Sequence, residues 1–169
     1  GAIIPMVFRR LLAGLITGGA LLVAQVEPPP EAAMNPKEDA IEQILSVRES
    51  PEALEKAVGA ARALGVSEQA ILEARFLFHI DRAEDAEIAA LLPEFEKQKA
   101  DFDLVESEIF ASEDDWLAVT EYVRAIAALK QGDSAGFKEH ITEAFWLSPK
   151  QGAAFAPHIE RIRLMDAMK

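Results

Sequence analysis

The stretch that decides the fold spans residues 114–149 and reads DDWLAVTEYVRAIAALKQGDSAGFKEHITEAFWLSP. In its first half Trp116, Val119, Val123, Ile126 and Ala127 recur at helical spacing, after a run of acids that suits a helix N-terminus. Gly132-Asp133 then breaks the pattern: glycine adopts the left-handed conformation that ends a helix, and aspartate caps the next one. Phe137, Ile141, Ala144 and Phe145 restart the same periodicity, which closes at Leu147 and Pro149. Two apolar-striped helices joined by so short a break must fold back on each other to bury their stripes, which predicts an antiparallel helix pair.

Working outward, the preceding chain is punctuated by the same kind of signal. Asn35-Pro36-Lys37-Glu38 supplies an N-cap, a proline at the first helical position and an acid three residues after the cap. Ser50-Pro51 opens a second helix with the stripe Leu54, Ala57, Val58, Ala61 and Leu64, which Gly65 ends. Ser67 caps a third, carrying Ala70, Ile71, Ala74, Leu77 and Phe78. Asp85 opens a fourth with Ile88, Leu91, Leu92 and Phe95, which Pro93 must kink or split because it lacks an amide proton and clashes with the turn before it. Residues 100–111 show no period and read as a long connection whose Phe102, Leu104, Ile109 and Phe110 fold back on the core. Ser112 caps the fifth helix and Asp133 the sixth. Ser148-Pro149-Lys150-Gln151 forms a capping box that opens a short final helix, which Pro157 is expected to break before a last stripe of Ile159, Ile162 and Met165. No window alternates strictly, as a half-buried strand would. The expectation is all-α: antiparallel helix pairs stacked in a short array of about seven helices, with Phe78, Phe137, Ile141 and Phe145 in the core.

The N-terminus has a different character. In residues 6–24, MVFRRLLAGLITGGALLVA, a basic pair precedes an uncharged apolar run, and Ala24 stands at a plausible cleavage point. That is the pattern of a secretory signal peptide, or of an uncleaved N-terminal anchor, since Leu22 is a poor residue three positions before the cut. Residues 25–35 follow as a proline-rich spacer, and 36–169 form a single helical domain. A periplasmic or secreted location follows from this reading, with membrane attachment only through the N-terminal segment as the alternative.

Composition sets the outer limits. The chain has 169 residues, half of them hydrophobic, enough for one domain with a real core. Its 17 basic and 29 acidic residues give a net charge of −12, which argues against nucleic acid as a partner because that binding depends on basic groups displacing counterions. There is no cysteine, so disulfides, thiolate nucleophiles and cysteine zinc sites are ruled out. His79, His140 and His158 are the histidines, and none has Glu three residues before it, so the paired Glu-x-x-His motifs of a di-iron bundle are missing. No nucleophile elbow, zinc-protease helix or phosphate-binding loop occurs. No cofactor and no metal site is expected. Trp116 and Trp146, each at a helix end, read as packing anchors.

With Gly132 and Asp133 at the inter-helix turn and Ala144 and Pro149 behind them at matching spacing, residues 114–149 resemble a tetratricopeptide-type helix pair. Phe137 stands where that family has a small alanine, and Ala128 where it has tyrosine. A looser echo runs from Ala74-Arg75-Phe76 through Glu84-Asp85 to Leu91 and Leu92, about 48 residues earlier, which is longer than one repeat of about 34. The resemblance implies a module that binds a peptide or protein partner in a groove lined by the first helix of each pair, with Tyr122, Ile126 and Lys130 as the partner-binding wall. Catalysis is not expected. The alternative is a small envelope enzyme or metal-binding helical protein whose His140 or His79 converges with carboxylates in one cleft.

Overall fold

A computed structural model describes residues 35–168, and the expected signal segment and most of the spacer lie outside them. The described residues are helical, in the order α1 (Pro36–Ser46), α2 (Pro51–Ala63), α3 (Glu68–Asp81), α4 (Asp85–Ala90), α5 (Leu92–Gln98), a 3-10 turn (Lys99–Asp101), α6 (Glu113–Lys130), α7 (Ser134–Leu147) and α8 (Pro149–Ala167). Pro93 divides α4 from α5, so these two short helices are one element interrupted at Leu91. The fold is all-α, with helix pairs stacked on one another.

The caps form as the side chains dictate. Asn35 accepts from the amides of Lys37 and Glu38, Ser50 from Ala53, Ser67 from Ala70, Ser112 from Asp115 and Asp133 from Gly136. At the other ends, α2, α3 and α6 all close with the double hydrogen-bond pattern that requires a left-handed residue just past the helix. The amide pairs are Gly65→Arg62 and Val66→Ala61, Ala83→Ile80 and Glu84→His79, and Gly132→Leu129 and Asp133→Ala128. Gly65 and Gly132 supply the conformation at φ 82° and 76°, but the third position is Ala83 at φ 54°. There the methyl group crowds its own backbone, a cost of about 1 kcal/mol that only surrounding structure can offset.

Packing is organised around α6. Trp116, Val119, Tyr122, Val123 and Ile126 are buried, and so are Asp115, Ala118, Thr120 and Ala125 on the flanking faces. A helix apolar on so many sides must be surrounded, and α6 contacts α4, α5, α7 and α8. Helix α3 is enclosed in the same way and packs on α1, α2, α4 and α5. The irregular connection folds inward as its residues demand: Ile109 and Phe110 are buried, and Phe102 packs against the core.

Two expectations are corrected. Phe78 is buried, but Phe137 and Ile141 are only half-buried and Phe145 is 39% exposed. The neighbours of α7 are α6 and α8, and they cover Ala144 completely while leaving the flank that carries Phe145 uncovered. Pro157 does not end a helix: α8 runs through it as one rod. Phe155 and Ile159, on either side of the proline, are both buried, and their packing outweighs the lost backbone hydrogen bond.

Truncating Phe78 to Ala is therefore expected to cost about 3–5 kcal/mol, whereas Phe145→Ala should cost about 1 kcal/mol or less. Ala83→Gly should raise stability by about 1 kcal/mol, because it removes the left-handed strain. Urea unfolding of the three variants measures all three values, and an unchanged or lowered midpoint for Ala83→Gly contradicts the strained cap.

Candidate functional site

Four places bring polar or exposed functional groups together. The first is the proposed groove wall. Tyr122 and Ile126 have no exposed surface, and Lys130 alone of the three is exposed, at the end of α6. The phenol ring of Tyr122 is stacked on Phe155 of α8, centroids 4.0 Å apart and 13° from parallel. This corrects the expected wall: the face of α6 bearing Tyr122 and Ile126 is interior, because the last helix lies over the tyrosine.

The second place is a chain of charges across α5, α6 and α7. Arg124 donates to both carboxylate oxygens of Glu96, at 2.6 and 2.8 Å, and also to Glu121. The other oxygen of Glu121 lies 2.7 Å from Nδ1 of His140. The hydrogen bond from Arg124 holds the Glu96 carboxyl below its ordinary range. The arrangement orients the imidazole, as a carboxylate does for a catalytic histidine. His79 is engaged separately, its Nδ1 3.2 Å from Glu84, which also accepts from Arg82 at 2.9 Å. The two histidines thus serve different carboxylates, and among the described residues no three His, Asp or Glu side chains gather where a metal ion could bind. The side chain of His158 lies outside the described set.

The third place is buried. Glu73, in the middle of α3, is fully enclosed, and its Oε1 accepts from the Ser107 hydroxyl at 2.6 Å and from the amides of Glu108 and Ile109 at 3.2 Å. One turn earlier Gln69 exchanges two hydrogen bonds with the backbone of Asp103, both 2.9 Å. Side chains four apart on one helix face thereby clasp the irregular connection at both ends. Burial pushes the Glu73 carboxyl up to about 7, against the opposing pull of the Ser107 hydroxyl and the backbone amides. Nothing in the sequence marked this residue, since a glutamate between Leu72 and Ala74 looks like a solvated helix position. Its signal is only that it shares a face with Gln69, Phe76 and Leu77.

The fourth place is the surface. Trp146 is 81% exposed near the C-terminal end of α7, next to the partly exposed Phe145. It is no packing anchor, unlike Trp116, whose ring is buried against Phe95, Phe102 and Phe110. A separate open concavity of about 360 Å³ lies between α1 and α2, lined by Gln43, Val47, Glu49, Ala53 and Lys56 among others. Among the described residues no helix is long and apolar enough to cross a membrane. Compared with protein-family models, curated proteins and solved structures, the chain matches none.

The Glu73 clasp sets a pH dependence. The folded carboxyl titrates above its unfolded value, so its contribution is fully present below about pH 4.5 and is lost as pH rises through about 7. Over that window the loss is about 3 kcal/mol at most. Glu73→Gln, which keeps an oxygen acceptor, should flatten the stability profile between pH 5 and 8. Chemical denaturation at several pH values reads this out, and parallel profiles for variant and wild type contradict it.

Proposed function

We propose that this chain is a non-catalytic interaction module of the cell envelope, of tetratricopeptide type, that binds a peptide or protein partner. The observation that carries the reading is the exposed pair Trp146 and Phe145. An indole four-fifths exposed on a helix contributes almost nothing to the fold, and large exposed aromatics are what protein contacts use as anchors. The wall residues Tyr122 and Ile126 are replaced in this reading by the outer end of α7. The net charge of the whole chain, −12, fits the same role, since it disfavours nucleic acid and favours a partner with a basic or mixed face. Export rests on residues 6–24, whose basic pair and uncharged apolar run have the form of a signal peptide.

A second reading is a small envelope enzyme centred on His140, favoured by the 2.7 Å contact that orients its imidazole on Glu121. Against it, Glu121 also accepts from Arg124, so this carboxylate is shared with an arginine and is not dedicated to the imidazole.

Two experiments decide these points. Residues 1–40 fused to a reporter active only after export should give signal, and a silent cytoplasmic reporter defeats the envelope assignment. In the full chain, a photo-crosslinking amino acid at position 146 should trap one discrete partner, while the same group at the equally exposed Val105 traps none. Equal labelling from both positions, or loss of a measured hydrolytic activity in His140→Ala, refutes the binding reading.

A further inference from the structure

Helix α8 is seated on the rest of the molecule in the manner of a bound peptide. Among its described residues the buried ones, Gln151, Phe155 and Ile159, are spaced four apart and form one stripe, the pattern by which an amphipathic helix lies in a groove. The floor that receives Phe155 is made by earlier helices: Tyr122 of α6 stacks on its ring, and Phe76 of α3 meets it edge-on at 6.4 Å. That floor is supported independently of α8. Phe76 is edge-on to Phe95 at 5.8 Å, and Phe95 packs on Trp116 at 5.0 Å.

Three features set α8 apart from a permanent core helix. Its charge is opposite to that of its host. From position 149 onward the chain has Lys150, Arg161, Arg163 and Lys169 against only Glu160 and Asp166, in a protein of net charge −12. Its seat is imperfect, because Oε1 of Gln151 is buried without a hydrogen-bond partner among the described residues, and such a group costs about 1–3 kcal/mol. Its far end is uncovered, with Leu164 and Met168 mostly exposed. What holds it in place is the joint. Ser148 is the single residue between α7 and α8, and its hydroxyl donates to Asp115 at 2.7 Å while accepting from the amide of Gln151 at 3.4 Å. A tether this short keeps α8 at an effective concentration on the order of millimolar, enough to hold a weakly seated helix.

We propose that the trough floored by Tyr122 and Phe76 is a binding site for a basic amphipathic helix bearing an aromatic residue and, four positions later, an aliphatic one, and that α8 is its resident occupant. A partner segment that places an apolar side chain where Gln151 sits avoids one unpaired buried group and displaces α8. This inference rests on the binding-module reading and adds the class of partner and a mode of control: the site is closed until a better-fitting helix opens it.

The test uses the full chain and, as probe, a fluorescently labelled synthetic peptide of residues 148–169. Phe155→Ala in the protein removes the anchor of the resident helix. The peptide is expected to bind this variant about tenfold more tightly than wild type, because the competing closed state is weakened. Binding should weaken with added salt, and a peptide carrying F155A should not bind. A folded Phe155→Ala protein that binds the peptide no better than wild type overturns the proposal. Hydrogen exchange on the wild-type chain covers the case in which that variant does not fold. Residues 149–167 should exchange at least about tenfold faster than residues 113–130, and equal protection of the two helices overturns the proposal as well. Neither readout involves Trp146 or a native partner, so failure here leaves the crosslinking result to stand or fall by itself.

Discussion

The constraint on which the structure depends is the enclosure of α6. A helix of 18 residues with buried positions on most of its sides keeps only a half-exposed strip at Leu117, Glu121, Arg124 and Ala128, so its neighbours must sheathe the rest. They do so through one aromatic assembly. Trp116 is stacked on Phe102 at 4.7 Å, tilted against Phe95 and edge-on to Phe110. In this way the split fourth element, the irregular connection and the central helix meet on a single indole. Such ring pairs add about 0.5–1.5 kcal/mol each beyond their buried area. They also fix geometry, since each neighbour touches the same rigid plane. The helix pair α6–α7, the position of the connection and the trough that holds α8 all follow from where that ring sits.

Much of this was legible in the chain itself, because helix boundaries are written in local chemistry. Asn35, Ser50, Ser67, Ser112, Asp133 and Ser148 each announce a start through a short oxygen that reaches the next free amides, and Gly65 and Gly132 announce stops through their backbone freedom. What stayed hidden depends on contacts distant in sequence. Glu73 reaches residues more than 30 positions away, and a carboxylate satisfied by a loop cannot be told locally from one satisfied by water. The stop at Ala83 was invisible because the residue that adopts the left-handed conformation carries a methyl group. Periodicity also overstated α7: Phe137, Ile141 and Phe145 share a face with Ala144, but which part of that face is covered depends on how many helices are present to cover it.

The same limit explains the candidate site. Tyr122, Ile126 and Lys130 follow one another at helical spacing, so a sequence can place them on one face but cannot say that a later helix lies over part of it. That single covering element is why Tyr122 lies inside the molecule, stacked on Phe155, while Trp146 stays exposed. The terminal helix carries the minority charge sign of an otherwise acidic chain, the arrangement on which the proposed competition would draw.

Because the chain has only two tryptophans, one at the centre of the aromatic assembly and one almost bare on α7, its intrinsic emission contains two separable signals. Trp116, enclosed by apolar rings, emits toward the blue and is shielded from dissolved quenchers, whereas Trp146 emits toward the red and meets them freely. A collisional quencher therefore silences the outer indole and leaves the inner one. What remains is an optical record of the core alone, while the quenched fraction follows whatever approaches the far end of α7.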